Sequence, residues 1–115
     1  MKVFGLRRRK YNNIPTFVDG MRFESKAEAA RYGQLQLLAK AGDIKDLRRQ
    51  VRYPFVVNGL KIGTYVSDFD YTTKEGSKVV EDVKGVRTAM FRLKARLMKA
   101  CWGVDVQEVY ASKYC

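Results

Sequence analysis

Histidine is absent from all 115 residues of this chain. That removes the imidazole base of many hydrolases, His/Asp and Cys/His nucleophilic relays, and zinc readers of nucleic acid that need histidine ligands. Any catalysis must rest on carboxylates and lysines. Cysteine is nearly absent: Cys101 and Cys115 have no metal-ligand spacing, which points to reduced, structural or incidental thiols and argues against zinc. No apolar run approaches the roughly 20 residues of a membrane span, and residues 1–10 lack the apolar stretch of a signal peptide, so a cytoplasmic protein without a membrane partner is expected. No repeat or low-complexity linker divides the chain, and its length suits one domain. Acidic residues are also scarce, 12 against 23 basic ones, giving a net charge of +11. Such an excess favours a polyanionic partner, nucleic acid first. A ribosome-associated or merely soluble basic protein is the plainer alternative. A hydrophobic content of 46%, with one Trp, seven Tyr and six Phe, argues for a folded core rather than a basic tail.

Residues 1–13, with Arg7, Arg8, Arg9 and Lys10, show no periodic apolar pattern and read as a flexible basic arm able to hold phosphates, ahead of a domain spanning 14–115. Asp19-Gly20 favours a tight turn between Thr16–Val18 and Met21–Phe23, a short hairpin. Ser25 and Glu28 form a capping-box pattern, and Ala27, Ala30, Leu35, Leu38 and Ala41 follow at helical spacing up to Gly42, predicting a helix at about 26–41. From Leu47 the period shortens: Val51, Tyr53, Phe55 and Val57 alternate, Asn58-Gly59 turns, and a partner strand is expected over Leu60–Tyr71. A turn at Lys74–Ser77 leads to a third strand, Lys78–Lys84. Thr88–Ala100 reads as a basic amphipathic helix, with Ala89, Leu93, Leu97 and Ala100 inward and Arg92, Lys94, Arg96 and Lys99 outward, positioned to meet phosphates. Gly103 ends it, and Val104 to Tyr110 suggest a last strand.

Asp82 and Lys84 stand two apart on a strand, so their side chains share a face, while Glu81 and Val83 point the other way. Asp68 lies on the preceding predicted strand and approaches Asp82 if the two strands pair. Asp70 competes with it, being on the same predicted face. Close carboxylates repel unless a cation joins them, and hard oxygen ligands suit Mg²⁺ or Mn²⁺. Such an ion polarises a phosphate and acidifies a water, the needs of phosphodiester hydrolysis, and Lys84 can stabilise the developing charge. The plainer reading of Asp82 and Lys84 is a solvated surface pair, and that of Asp68 a turn residue.

The succession of a helix bearing Glu28, then Tyr65-Val66-Ser67-Asp68-Phe69, then Val80-Glu81-Asp82-Val83-Lys84-Gly85, resembles the PD-(D/E)XK nuclease superfamily. Phe23-Glu24-Ser25-Lys26-Ala27-Glu28 and Gln50 resemble more narrowly a family of small phage-encoded proteins, some of them Holliday-junction resolvases. The likeness covers roughly residues 10–110 by the count of elements. It implies an α/β fold with an αβββαβ restriction-endonuclease-like core, a mixed central sheet flanked by helices. It also implies Asp68 and Asp82 as metal ligands, Lys84 as the catalytic lysine, Glu28 as a helix acid at metal-bound water or a second ion, and Gln50 as an accessory residue. Ser67 stands where the superfamily's name has Pro, a position that varies. Apart from the resemblance, Glu28 reads as the closing residue of its capping box, Gln50 as an ordinary strand residue, and Arg31, Arg48 and Arg49 as solvated charges.

The expected function is that of a Mg²⁺-dependent endonuclease on DNA, with branched DNA, a four-way junction in particular, as leading substrate. Symmetric cutting of a junction calls for a two-fold homodimer. The rivals are a nicking or repair nuclease with the same core and a non-catalytic basic nucleic-acid-binding protein.

Overall fold

A computed structural model describes residues 15–110. The basic arm, with Arg7, Arg8, Arg9 and Lys10, lies outside the described residues, as does Cys115. Strands β1 (Thr16–Val18) and β2 (Met21–Phe23) form an antiparallel hairpin, turned by Asp19 and Gly20 at φ 53° and 77°. Helix α1 (Lys26–Lys40) begins where the Ser25 side chain accepts from the Glu28 backbone N–H at 3.1 Å. After it come β3 (Ile44–Arg49), β4 (Arg52–Val57), β5 (Leu60–Val66), β6 (Phe69–Thr73), β7 (Lys78–Lys84), helix α2 (Ala89–Trp102) and β8 (Gln107–Tyr110).

The central sheet has the order β3-β6-β7-β8, with β8 parallel to β7 and the other pairs antiparallel. It is a mixed sheet flanked by two helices and preceded by a short hairpin. Strands β4 and β5 pair only with each other. With that second hairpin set aside, the elements from α1 onward run α, β, β, β, α, β. Phe69 and Tyr71 of β6 and Val79 and Val83 of β7 pack with Phe23, Ala29 and Leu35 towards α1. Val80, on the other face of β7, packs with Tyr53, Phe55 and Tyr65 of the β4–β5 hairpin and with Phe91 and Met98 of α2. Period-two alternation thus gives the sheet one wall against α1 and one against α2 plus the hairpin.

Three expectations are corrected. Leu60–Tyr71 is not one strand but two: at Ser67 and Asp68 the chain leaves the hairpin for the central sheet, and the Ser67 hydroxyl donates to Asp70 Oδ1 at 2.6 Å, a local bond that competes with strand continuation. A strand precedes the one read from Val51, because Asp46 at φ 57° makes a bulge between Lys45 and Arg48 and puts half-buried Leu47 three residues from buried Ile44, which hides the alternation. Helix α2 buries Phe91 and Met98, with Ala95 and Leu97 half-buried, whereas Ala89, Leu93 and Ala100 are exposed. On α1, likewise, Ala30 and Ala41 are exposed, and Ala27, Ala29 and Leu35 are buried.

Candidate active site

Antiparallel pairing of Phe69 with Glu81 brings the residue before β6, Asp68, beside the end of β7. The Asp68 N–H donates to the Glu81 carbonyl at 3.0 Å, and the Val83 N–H donates to Asp68 Oδ2 at 2.6 Å, so the carboxylate is tied to the strand that carries Asp82. Burial pushes the Asp68 carboxyl up to about 8, and the nearby charges of Asp82 and Glu28 add to the rise, against the Val83 N–H and Lys84, which lower it. Glu28, in the first turn of α1, is buried, and burial raises its carboxyl as well, with Asp82 a lesser contributor. The three acids lie within electrostatic reach of one another.

Each is anchored differently. Asp82 Oδ2 accepts from the Tyr65 hydroxyl at 2.6 Å, and Asp82 Oδ1 lies 3.0 Å from Lys84 Nζ. The same ammonium sits 3.8 Å from the Phe91 ring centroid, which holds it between strand and helix. Glu28 Oε1 accepts from the Glu24 N–H at 3.3 Å, which gives the capping interpretation part of the truth, although the donor is the residue before the cap. Glu28 Oε2 is buried with no hydrogen-bond partner. A carboxylate oxygen left so is costly unless something else satisfies it.

Two other buried acids are fully occupied. Glu81, on the opposite side of β7 from Asp82, receives Arg31 through Nε at 2.9 Å and Nη2 at 2.6 Å, and also the Tyr71 hydroxyl. Arg31, expected as a solvated charge, is therefore half of a largely buried ion pair. Asp70 accepts from the Tyr53 and Ser67 hydroxyls, with Lys78 Nζ 3.9 Å away. Asp70 is thus engaged within the chain by groups on the α2 side of the sheet, while Asp68 lies just before the strand and bonds β7. Arg49 lies over the Phe23 ring at 4.1 Å and donates to the Arg22 carbonyl at 2.7 Å. Gln50 is an exposed bend residue at φ 52°, not a strand residue, and its N–H donates to the Asp68 carbonyl at 3.1 Å.

The four basic residues expected on α2 border two depressions. Lys94 lines the groove that holds Asp82 and Lys84, while Arg92, Arg96 and Lys99 line a second depression with Arg87, beside Val106. Lys99 is also paired with Asp105 at 3.0 Å. Tyr65 and the Arg31–Glu81–Tyr71 set were not singled out in the sequence. The signal for Tyr65 was its place in the same stretch as Asp68. For Arg31 it was the three-residue step from Glu28, which puts both on one side of α1.

Among the described residues, no three acidic or cysteine side chains already converge as the ligands of a bound ion do. The donor chemistry nevertheless fits a hard divalent cation. Asp82 and Glu28 oppose the ionisation of Asp68, one Glu28 oxygen is orphaned, and there is no histidine to compete. Among the described residues no helix is long and apolar enough to cross a membrane, and Cys101 is free and exposed. A family model described as "Protein of unknown function (DUF1064)" matches residues 8–114. No curated protein and no solved structure matches the chain.

Proposed function

We propose that this chain, which belongs to the DUF1064 family, is a metal-dependent endonuclease that hydrolyses DNA phosphodiester bonds. The observation that carries the reading is the tie of the Asp68 carboxylate to β7 next to the Asp82–Lys84 pair, with Glu28 near enough for its charge to raise Asp68 and its Oε2 buried and unpartnered. These three acids would hold Mg²⁺, or Mn²⁺ in its place. A divalent ion there supplies the positive charge that polarises a scissile phosphate and acidifies an attacking water. Tyr65 fixes the rotamer of Asp82 by donating to Oδ2. Lys84, clamped over Phe91, presents an ammonium to the non-bridging oxygens as negative charge builds on them. Gln50 flanks Asp68 through its backbone. Outside this centre, the net charge of +11 suits a polyanion, and Arg92 and Arg96 on α2 suit its backbone phosphates.

Branched DNA, a four-way junction first, is the substrate we favour, cut by a two-fold homodimer in the cytoplasm, where the exposed Cys101 stays reduced. The test is incubation of the purified chain with an end-labelled junction and the matching linear duplex, in Mg²⁺ or Mn²⁺ and then in EDTA. Metal-dependent nicks that EDTA abolishes are expected. Folded protein that cuts neither DNA in either ion would sink the proposal. A second reading, a non-catalytic nucleic-acid binder, is favoured by one observation: Lys84 already neutralises Asp82 within the chain. Such a binder holds DNA as tightly without divalent ions as with them.

A further inference from the structure

The groove beside the candidate centre mixes two kinds of side chain. Asp82, Lys84 and Lys94 bring charge, and Val66 at the end of β5 with Met90 and Phe91 in the first turn of α2 bring apolar surface. Met90 is 60% exposed and Val66 38% exposed, whereas Phe91 is 5% exposed with its ring covered by the Lys84 ammonium. The available apolar surface is therefore that of Met90 and Val66, and it borders the two lysines directly. Met90 sits on an ordered turn, since the Thr88 side chain caps α2 by accepting from the Phe91 N–H at 3.1 Å.

A ligand that offered only phosphates would need only cations. The second depression on α2 is the more basic of the two, with Arg87, Arg92, Arg96 and Lys99 beside a single acid, Asp105, that pairs with Lys99. An exposed methionine next to two lysines suits a ligand with an anionic and a flat apolar part at close range, as a nucleotide has. In a continuous duplex the bases are stacked and turned inward, so a side chain beside the backbone reaches phosphate and sugar but no base face. Apolar side chains meet base faces where a step is opened, and opening costs least where a nucleotide is already unpaired.

We infer that this groove seats a nucleotide whose base has left the stack, its phosphate held at Lys84 and Lys94 and its base lying against Met90 and Val66. The substrate class is thereby DNA with an unpaired nucleotide next to the scissile phosphate, as at a bulge, a flap or a four-way junction whose central pairs have opened. The inference rests on the nuclease reading and deepens it.

The experiment compares cleavage in Mn²⁺ of a fully paired duplex and of the same duplex with two unpaired nucleotides at the cut site, by the wild-type chain and by Met90→Gln and Val66→Thr. Both side chains are exposed, so circular dichroism and thermal melting should match the wild type. The wild type should prefer the interrupted DNA in kcat/KM, and Met90→Gln should lose most of that preference, about 10-fold if the side chain is largely covered by the base. A preference unchanged in both variants, or none in the wild type, overturns the inference and leaves the nuclease reading standing. If the wild type cuts neither DNA, the nuclease reading falls. Binding of an oligonucleotide with 2-aminopurine at the unpaired position then decides the groove alone. A fluorescence change that Met90→Gln abolishes upholds the seat, and no change overturns it.

Discussion

The two oxygens of the Glu28 carboxylate differ: Oε1 secures the entry to α1 through the Glu24 N–H, and Oε2 is buried without a partner. Asp68 bears the consequence of its own burial near Asp82 and Glu28. Its folded value of about 8 stands above the ordinary 3.8, so the folded chain keeps a proton that the unfolded chain releases. Stability from this group is whole below about pH 4 and declines as pH rises through about 8. Asp68→Asn should remove that decline while its side-chain oxygen still accepts from Val83. Urea midpoints between pH 5 and 9 in EDTA should therefore fall for the wild type relative to the variant, and parallel curves would contradict the origin assigned to the shift. Lys84 plays another part. Lys84→Ala should retain Mn²⁺ affinity in calorimetry yet cleave roughly 100- to 1,000-fold more slowly, the scale of losing one donor to developing charge. Loss of ion binding in a folded Lys84→Ala chain would make the lysine a scaffold for Asp82 instead.

At the scale of elements, Arg31 fastens α1 to β7 and so sets the distance from Glu28 to Asp82. Replacing Arg31 with Met leaves the carboxylate of Glu81, 2% exposed, with the Tyr71 hydroxyl as its remaining side-chain partner, and removal of one member of a buried pair costs about 3–5 kcal/mol. Urea unfolding should show a loss near the lower end, since Arg31 is 19% exposed, and Arg31→Met with Glu81→Leu should recover much of it. A double variant no more stable than Arg31→Met would contradict the account. This clamp was illegible in the sequence because it joins residues 50 apart, whereas the shared face of Asp82 and Lys84 was legible from strand alternation, and their candidacy came from the resemblance. The two glycine turns, both helices and the β7 strand were likewise readable from local chemistry. What escaped was decided by tertiary packing. The bulge at Asp46 masked β3, and the core chose Phe91 and Met98 of α2 over a competing apolar stripe. Nothing local in Leu60–Tyr71 marks where the chain changes sheets, apart from the polar pair Ser67 and Asp68.

For the whole molecule, the net charge of +11 would make the affinity for the proposed DNA substrate a function of salt. Arg92→Ala with Arg96→Ala should lower affinity for all DNAs and flatten the plot of log K against log salt by about 0.9 for each phosphate the chain no longer neutralises. An unchanged slope would remove that face of α2 from the binding surface. The division of the strands into a four-stranded sheet and a separate hairpin also sets a clock. Strands β4 and β5 have one ladder partner each, while β6 and β7 have two, so amide protons over 52–66 should exchange with deuterium sooner than those over 69–73 and 78–84. Mass spectrometry of peptide fragments measures this directly, and equal protection in both regions would contradict it. Tyr65 belongs to the separate hairpin and bonds Asp82 of the central sheet. Opening of the hairpin would therefore carry the tyrosine away and leave Asp82 Oδ2 free for another partner.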